Sequence, residues 1–386
     1  LLSGCMPYVR QPPEAETTRI TVGFSQVGAE SDWRVANTES MRESLSEENG
    51  FELLFDNARQ KQENQFKAIR TFIQQDVDYI VLAPVTETGW ESVLEEARTA
   101  GIPVIIVDRQ IKTDDDSLYT SWVGSDFRRT ADEAVSWLAE TLEARESEDA
   151  EVQILHLQGT PGSTAQLQRS AALEAGAASH EGWMITAQLN GDFTQAKAYE
   201  ETLAYLQSNP APDVVYCEND NMCFGVMQAL DELGIAYGTG GVTLISFDAV
   251  RRALSYCKDG KIDLCAECNP LHGPRVRALI EQLARGGGLG RLAGFDYAAR
   301  ELPGSPRAPK PVLVDEQNEG VGRVAGIGEG RNLHPVRRAV DVKIARPPVG
   351  VAESPFDDFK NFAVGYRRLG EQFPRARGFV RIHKIQ

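Results

Sequence analysis

The sequence predicts an α/β protein built as two similar, doubly wound parallel-sheet lobes. Three observations predict it. Short β-branched runs alternate with amphipathic stretches roughly every 25–30 residues, the spacing of strand–helix–strand units with right-handed crossovers. The runs are nearly continuous in apolar residues, as in sheets covered on both faces. The alternation breaks once, between Asp108 and Val152, with four units before the gap and four after it.

The elements follow in chain order. Residues 20–24, 51–55, 79–82 and 104–107 are strand-like, and 152–157, 183–189, 214–216 and 242–247 form a second series. Between them the apolar residues take helical spacing: Ala68, Ile69, Phe72 and Ile73 recur at i, i+1, i+4 and i+5, and Val93, Leu94 and Ala97 share one face. The gap holds an extra strand (118–123), a helix (130–142) and a charged, solvated turn (143–151).

In such sheets ligands bind beyond the carboxyl ends of the strands, so the residues that follow each strand are the candidates. After the first strand comes the loop Ser25-Gln26-Val27-Gly28-Ala29-Glu30-Ser31-Asp32-Trp33-Arg34, and after the fourth Asp108-Arg109. The second series offers Arg169 early in a helix, Phe193 after Gly191-Asp192, then Asn219-Asp220-Asn221, and finally Asp248. Polar and aromatic residues gather at these loop positions rather than on the helices, the pattern of a cleft between lobes.

Composition narrows the function. Of 386 residues, 42% are hydrophobic and 25% charged, the usage of a folded soluble protein. No run approaches the ~18–20 apolar residues of a spanning helix. The net charge of −16 argues against binding a nucleic-acid backbone. That charge is uneven: residues 1–283 hold 45 Asp and Glu against 22 Lys and Arg, whereas 284–386 hold 11 against 18. The last stretch also holds 15 of the 34 Gly and 9 of the 19 Pro.

The chain opens Leu1-Leu2-Ser3-Gly4-Cys5. Leu-Ser-Gly-Cys resembles the lipobox of bacterial lipoproteins, in which the Cys is lipidated after signal-peptide cleavage. The expectation is a lipid on Cys5, a polar tether to residue 18 and a membrane anchor without a spanning helix. The other cysteines are Cys217, Cys223, Cys257, Cys265 and Cys268. Cys265-Ala-Glu-Cys268 looks like half a zinc ribbon, but there is no second C-x-x-C. Disulfides or small buried thiols are the commoner outcome for such residues, and no metal is expected.

Eight collinear stretches carry a resemblance: GFSQVGAESDWR, DNARQKQENQ, APVTETGWE, PVIIVDR, LQGTPGS, NGDFTQAK, CENDNM and ECNPLHGPRV. They resemble the sugar-binding proteins of ABC transporters in the ribose-binding (type I) periplasmic group, nearest in pattern to its galactofuranose-binding branch. The resemblance runs from about Arg19 to Leu283. It implies two Rossmann-like lobes joined by a hinge, closing on one sugar held by Glu30, Trp33, Arg34, Asp108, Arg109, Arg169, Phe193, Asn219 and Asp248. Chain crossings near 123–126 and 265–269 are implied, with a third further on. The lobes would then be 19–124 plus about 267–285, and 125–266.

The chemistry of these residues agrees. Carboxylates accept and guanidiniums donate, so together they grip hydroxyls, which do both. Trp33 and Phe193 offer flat apolar faces to a sugar ring. Glu30, Asp108 and Asp248 balance Arg34, Arg109 and Arg169, which suits a neutral polyol better than a phosphate or sugar acid. The partners implied are a monosaccharide and an ABC permease, with the protein monomeric, extracytoplasmic and without a cofactor. A receptor that presents bound sugar to a membrane kinase or chemoreceptor is the alternative. An enzyme is disfavoured, since no Walker loop, GxSxG or HExxH occurs. A repressor of this fold needs a basic helix-turn-helix ahead of the first strand, where only a short Pro-containing segment stands.

The stretch 286–386 has no motif of the family. It is read either as a native extension, partly disordered, or as translation out of frame, which in GC-rich DNA yields Arg, Gly and Pro. The charge reversal favours the latter, which would remove the third crossing.

Overall fold

The computed structural model describes residues 19–143, 151–286 and 312–315. The lipobox Cys5, the tether and most of the 286–386 stretch lie outside the described residues.

The first sheet is built from β1 (Ile20–Gln26), β2 (Phe51–Asn57), β3 (Tyr79–Leu82), β4 (Val104–Val107) and β5 (Ser121–Gly124), with α1 (Asp32–Ser44), α2 (Gln62–Gln74) and α3 (Glu91–Thr99) between strands. The second uses β6 (Val152–Gln158), β7 (Trp183–Asn190), β8 (Val214–Cys217), β9 (Thr243–Asp248) and β10 (Leu264–Glu267). Its helices are α4 (Phe127–Glu143), α5 (Thr164–Ser179), α6 (Gln195–Leu206), α7 (Asp220–Leu233) and α8 (Arg251–Lys258). The chain then forms α9 (Gly273–Ala284), and β11 (Val312–Asp315) adds a parallel edge strand to β5. The strand orders are β11-β5-β4-β3-β1-β2 and β10-β9-β8-β6-β7, and the strand pairings are parallel. Two doubly wound sheets are therefore present, as the alternation of runs predicts.

Strand periodicity divides each core into two layers. In the first sheet Val81, Ile105 and Val107 face Met41 of α1, Leu45 just after it, and Val276, Leu279 and Ile280 of α9. Their neighbours Ile80, Leu82, Val104 and Ile106 face Ile69 and Phe72 of α2 and Val93 and Leu94 of α3. In the second, Ile154, Val214 and Tyr216 pack on α4 and α5, whereas Leu155, Val215 and Cys217 pack toward α6 and α7. Helices on both faces explain why β3 and β4 are buried at every position.

Several details differ from the sequence reading. β5 starts at Ser121, not at residue 118, because Leu118 ends a short 3₁₀ turn in which Asp115 accepts from the Ser117 amide. α4 begins at Phe127, three residues early. β10 and α9 were missed as elements. The five described cysteines are free thiols. Cys265 Sγ donates to Asp220 and Cys268 Sγ to Ser125, since residues three apart on an extended chain face opposite ways. The chain leaves the first sheet at Ser125-Asp126 and returns after Glu267. Among the described residues no helix is long and apolar enough to cross a membrane.

Candidate functional site

The two sheets meet with their carboxyl-end loops facing each other. Four of the helices that begin at this junction have a side-chain cap. Ser31, Ser163, Thr194 and Asn219 accept from the amides of Arg34, Gln166, Lys197 and Met222 at the starts of α1, α5, α6 and α7. The caps hold the first turns in place, with Trp33 and Arg34 on that of α1 and Arg169 one turn further along α5.

Between the loops lies a cavity whose empty space, counted together with the solvent at its mouth, is about 310 Å³. All nine candidates from the sequence line it: Glu30, Trp33, Arg34, Asp108 and Arg109 from the first lobe, and Arg169, Phe193, Asn219 and Asp248 from the second. Ser31, Phe127, Ala165 and Cys268 complete the lining and were missed. Phe127 and Cys268 immediately follow the two chain crossings, and that adjacency was the signal that could have found them.

Charge is arranged in two groups. Arg34 donates from Nε to Glu30 Oε1 at 3.0 Å, from Nη2 to Asp108 Oδ2 at 2.7 Å and from Nη1 to Gln26 Oε1 at 3.2 Å. Burial opposes its charge, but Asp108 and Glu30 outweigh that and raise the guanidinium pKa above its ordinary value. Across the cavity Arg169 donates to the Glu218 carbonyl and reaches Asp248 Oδ1 at 3.4 Å. Burial pushes the Asp248 carboxyl well above the usual range, with Arg169 pulling the other way. Arg109 has weaker support: Nη1 donates to the Val85 carbonyl at 2.9 Å, and Asp108 lies 4.0 Å from Nε. Burial, with repulsion from Arg34, brings Arg109 down to about 10. Its guanidinium lies 5.2 Å from the Phe193 ring centre and so spans the two lobes.

The apolar walls are fixed as firmly. Trp33 Nε1 donates to the Cys268 carbonyl at 2.7 Å. The Phe193 ring fills the space that a side chain at residue 159 would need, since a Cβ on Gly159 would sit 1.9 Å from Phe193 Cζ. Asn219 uses both ends of its amide on the protein: Oδ1 caps α7, and Nδ2 donates to the Phe193 carbonyl at 3.2 Å. Asp108, Phe193 and Asp248 have φ of 62°, 60° and 102°, sparsely populated values that cluster at binding sites.

Two buried polar atoms of the lining have no hydrogen-bond partner among the described residues, Glu30 Oε2 and Arg169 Nε. One accepts and the other donates. Leaving such atoms unsatisfied costs roughly 1–3 kcal/mol each, so a group that both donates and accepts is favoured here. No His is among the lining residues. His156 is fully buried beneath the site with Nε2 2.9 Å from Glu218 Oε1.

The model of a periplasmic binding protein domain matches residues 22–270. The galactofuranose-binding protein YtfQ of Escherichia coli K12 is 36% identical over 264 residues, covering 67% of this chain and 81% of that protein. A Mycobacterium smegmatis protein solved in complex with β-D-fucofuranose is 38% identical, with TM-score 0.66 over 69% of this chain and 86% of that one. The binding component of the arabinose ABC transporter of Shewanella sp. ANA-3, bound to α- and β-L-arabinofuranose, is 35% identical, with TM-score 0.65 over 76% and 90%.

Proposed function

Because the chain belongs to the periplasmic binding protein domain family, we propose that it captures a neutral monosaccharide outside the cytoplasm and delivers it to an ABC importer. The observation that carries this reading is the cavity itself. Three acidic side chains stand beside three guanidiniums, and the two unsatisfied atoms, Glu30 Oε2 and Arg169 Nε, ask for a hydroxyl-rich ligand. All nine lining residues expected from the sequence are assigned to the sugar, with Trp33 and Phe193 against its apolar faces. A five-membered ring form is favoured by the furanoses named for the E. coli, M. smegmatis and Shewanella relatives. The moving units are 19–124 with about 267–285, and 125–266. Leu2-Ser3-Gly4-Cys5 supports a lipid on Cys5 that keeps the monomer at the membrane.

Calorimetry tests this with D-galactose, D-fucose, L-arabinose, galactose 6-phosphate and galacturonate. Micromolar binding of neutral sugars, about −8 kcal/mol, is the expected result. Binding of the phosphate or the acid alone would overturn the neutral-ligand reading.

A further inference from the structure

Among the described residues, hydrogen bonds outside the cavity join the two lobes at four places around its mouth. The loop after β1 meets the start of α7, where the Asp32 amide donates to Asn221 Oδ1 at 3.1 Å. The loop after β2 meets that after β7, where Gln60 Nε2 donates to the Asp192 carbonyl at 3.1 Å. The loop after β3 meets that after β6 through Glu87 N and the Gly162 carbonyl, 2.9 Å apart. Finally Thr164 at the start of α5 exchanges two bonds with Gln110 beyond β4. Its Oγ1 accepts from the Gln110 amide at 2.8 Å and donates to the Gln110 carbonyl at 3.2 Å.

None of these residues lines the cavity. Every pair joins one lobe to the other, so every bond is lost when the lobes separate. The contacts also fall where backbone is held in unusual conformations: Gln60 and Asp192, which meet each other, have φ of 59° and 54°. Such conformations persist only where surrounding structure fixes them, and they concentrate at clamps and switches.

Resting on the sugar-capture reading, we propose that this outer ring is a closure latch, with Thr164 and Asn221 as positioning residues that set affinity without touching the ligand. The observed affinity of a protein that binds in its closed form scales with the fraction closed. Loosening the latch therefore multiplies every sugar's dissociation constant by one common factor. A residue that contacts the sugar alters each ligand by a different factor, because the sugars differ in the groups they present.

The test is Thr164→Val, which keeps the β-branched shape and deletes the hydroxyl, alongside Asn221→Ala. Dissociation constants are measured for D-galactose, D-fucose and L-arabinose. Each variant should weaken all three by one factor of about ten, with faster release and an unchanged association rate. Thr164→Ser, which restores the hydroxyl, should recover the wild-type values. Factors that differ among the sugars, or unchanged constants in both variants, would overturn the latch. If wild-type protein binds none of the three, the sugar reading fails separately. The latch is then judged without sugar, from the distance between fluorophores introduced as unnatural amino acids at exposed Lys67 and Glu201. That distance should lengthen in Thr164→Val, and an unchanged distance would overturn the proposal.

Discussion

Replacing Asp108 by Asn removes one negative charge from the cleft while keeping side-chain shape. It also keeps a residue type that accepts the left-handed backbone of position 108, which Ala does not. In the wild-type protein Asp108 Oδ2 lies 2.7 Å from Arg34 Nη2, with both side chains 4% exposed. Arg34 keeps Glu30 at 3.0 Å and Gln26 at 3.2 Å in the variant, so its guanidinium is not stranded. A hydrogen bond to a charged group contributes roughly 1.5–3 kcal/mol, and because Arg34 stays charged while its partner becomes neutral, the bond moves from the upper toward the lower end of that range, a loss of about 1 kcal/mol. Tilting the cleft to two carboxylates against three guanidiniums adds to this, and outright loss of a partner from a buried pair, roughly 3–5 kcal/mol, is the upper bound. The expected loss is about 2 kcal/mol, which a total stability of about 5–15 kcal/mol tolerates. Urea unfolding followed by tryptophan fluorescence reads it as a lower midpoint at unchanged slope. Sugar affinity in the same variant should fall at least roughly tenfold. Stability within about 0.5 kcal/mol of wild type, the usual range for surface changes, would refute the reasoning, since the pair would then not be desolvated.

Two further predictions concern the second lobe. A Cβ on Gly225 of α7 would lie 2.3 Å from the Gln195 carbonyl oxygen and 2.8 Å from the Tyr199 amide of α6. Gly225→Ala should therefore cost about 1–3 kcal/mol, seen as a melting temperature several degrees lower with sugar affinity unchanged; an unshifted melt would show that the helices part freely. Burial pushes the Asp220 carboxyl up to about 6 despite donors from Ser246, Cys265 and Val250. The folded state then binds more protons than the unfolded chain between about pH 4 and 6, so this group's contribution to stability falls as pH rises through that window. Asp220→Asn cannot titrate, so raising the pH from 4 to 7 should move relative stability toward the variant by roughly 2–3 kcal/mol. Paired urea melts check this, and a difference independent of pH would contradict it.

The site was legible because chemistry in a doubly wound sheet is confined to strand ends. Strands such as β4, four β-branched residues in a row, announce where those ends fall, and Asp108 and Arg109 follow directly. The return crossing was harder to read. Two cysteines at C-x-x-C spacing point to a disulfide or buried thiols and mask β10, a strand of only four residues, and nothing in that spacing marks Cys268 as cavity wall. The turn before β5 misled for a different reason. Leu118 and Tyr119 look like strand residues, but the Asp115 cap draws Leu118 into a 3₁₀ turn instead. Residues such as Thr164 and Gln60 gave no signal, because their partners come from the opposite lobe, and no local pattern encodes a pairing between loops more than fifty residues apart.

The left-handed backbone at the strand ends bears on how such a pocket can change its ligand over generations. Asp108 and Asp248 serve two demands at once, since Asp and Asn, after Gly, are the residues that take positive φ at least cost. Selection for a new ligand can rarely install a bulky or β-branched side chain at these positions without first rebuilding the loop. Trp33, Arg34 and Arg169 stand on ordinary helical backbone, where nearly any side chain is admissible. Inherited or engineered changes of specificity should therefore accumulate on the first two turns of α1 and α5, while the strand-end aspartates stay as a fixed frame around which recognition is rewritten.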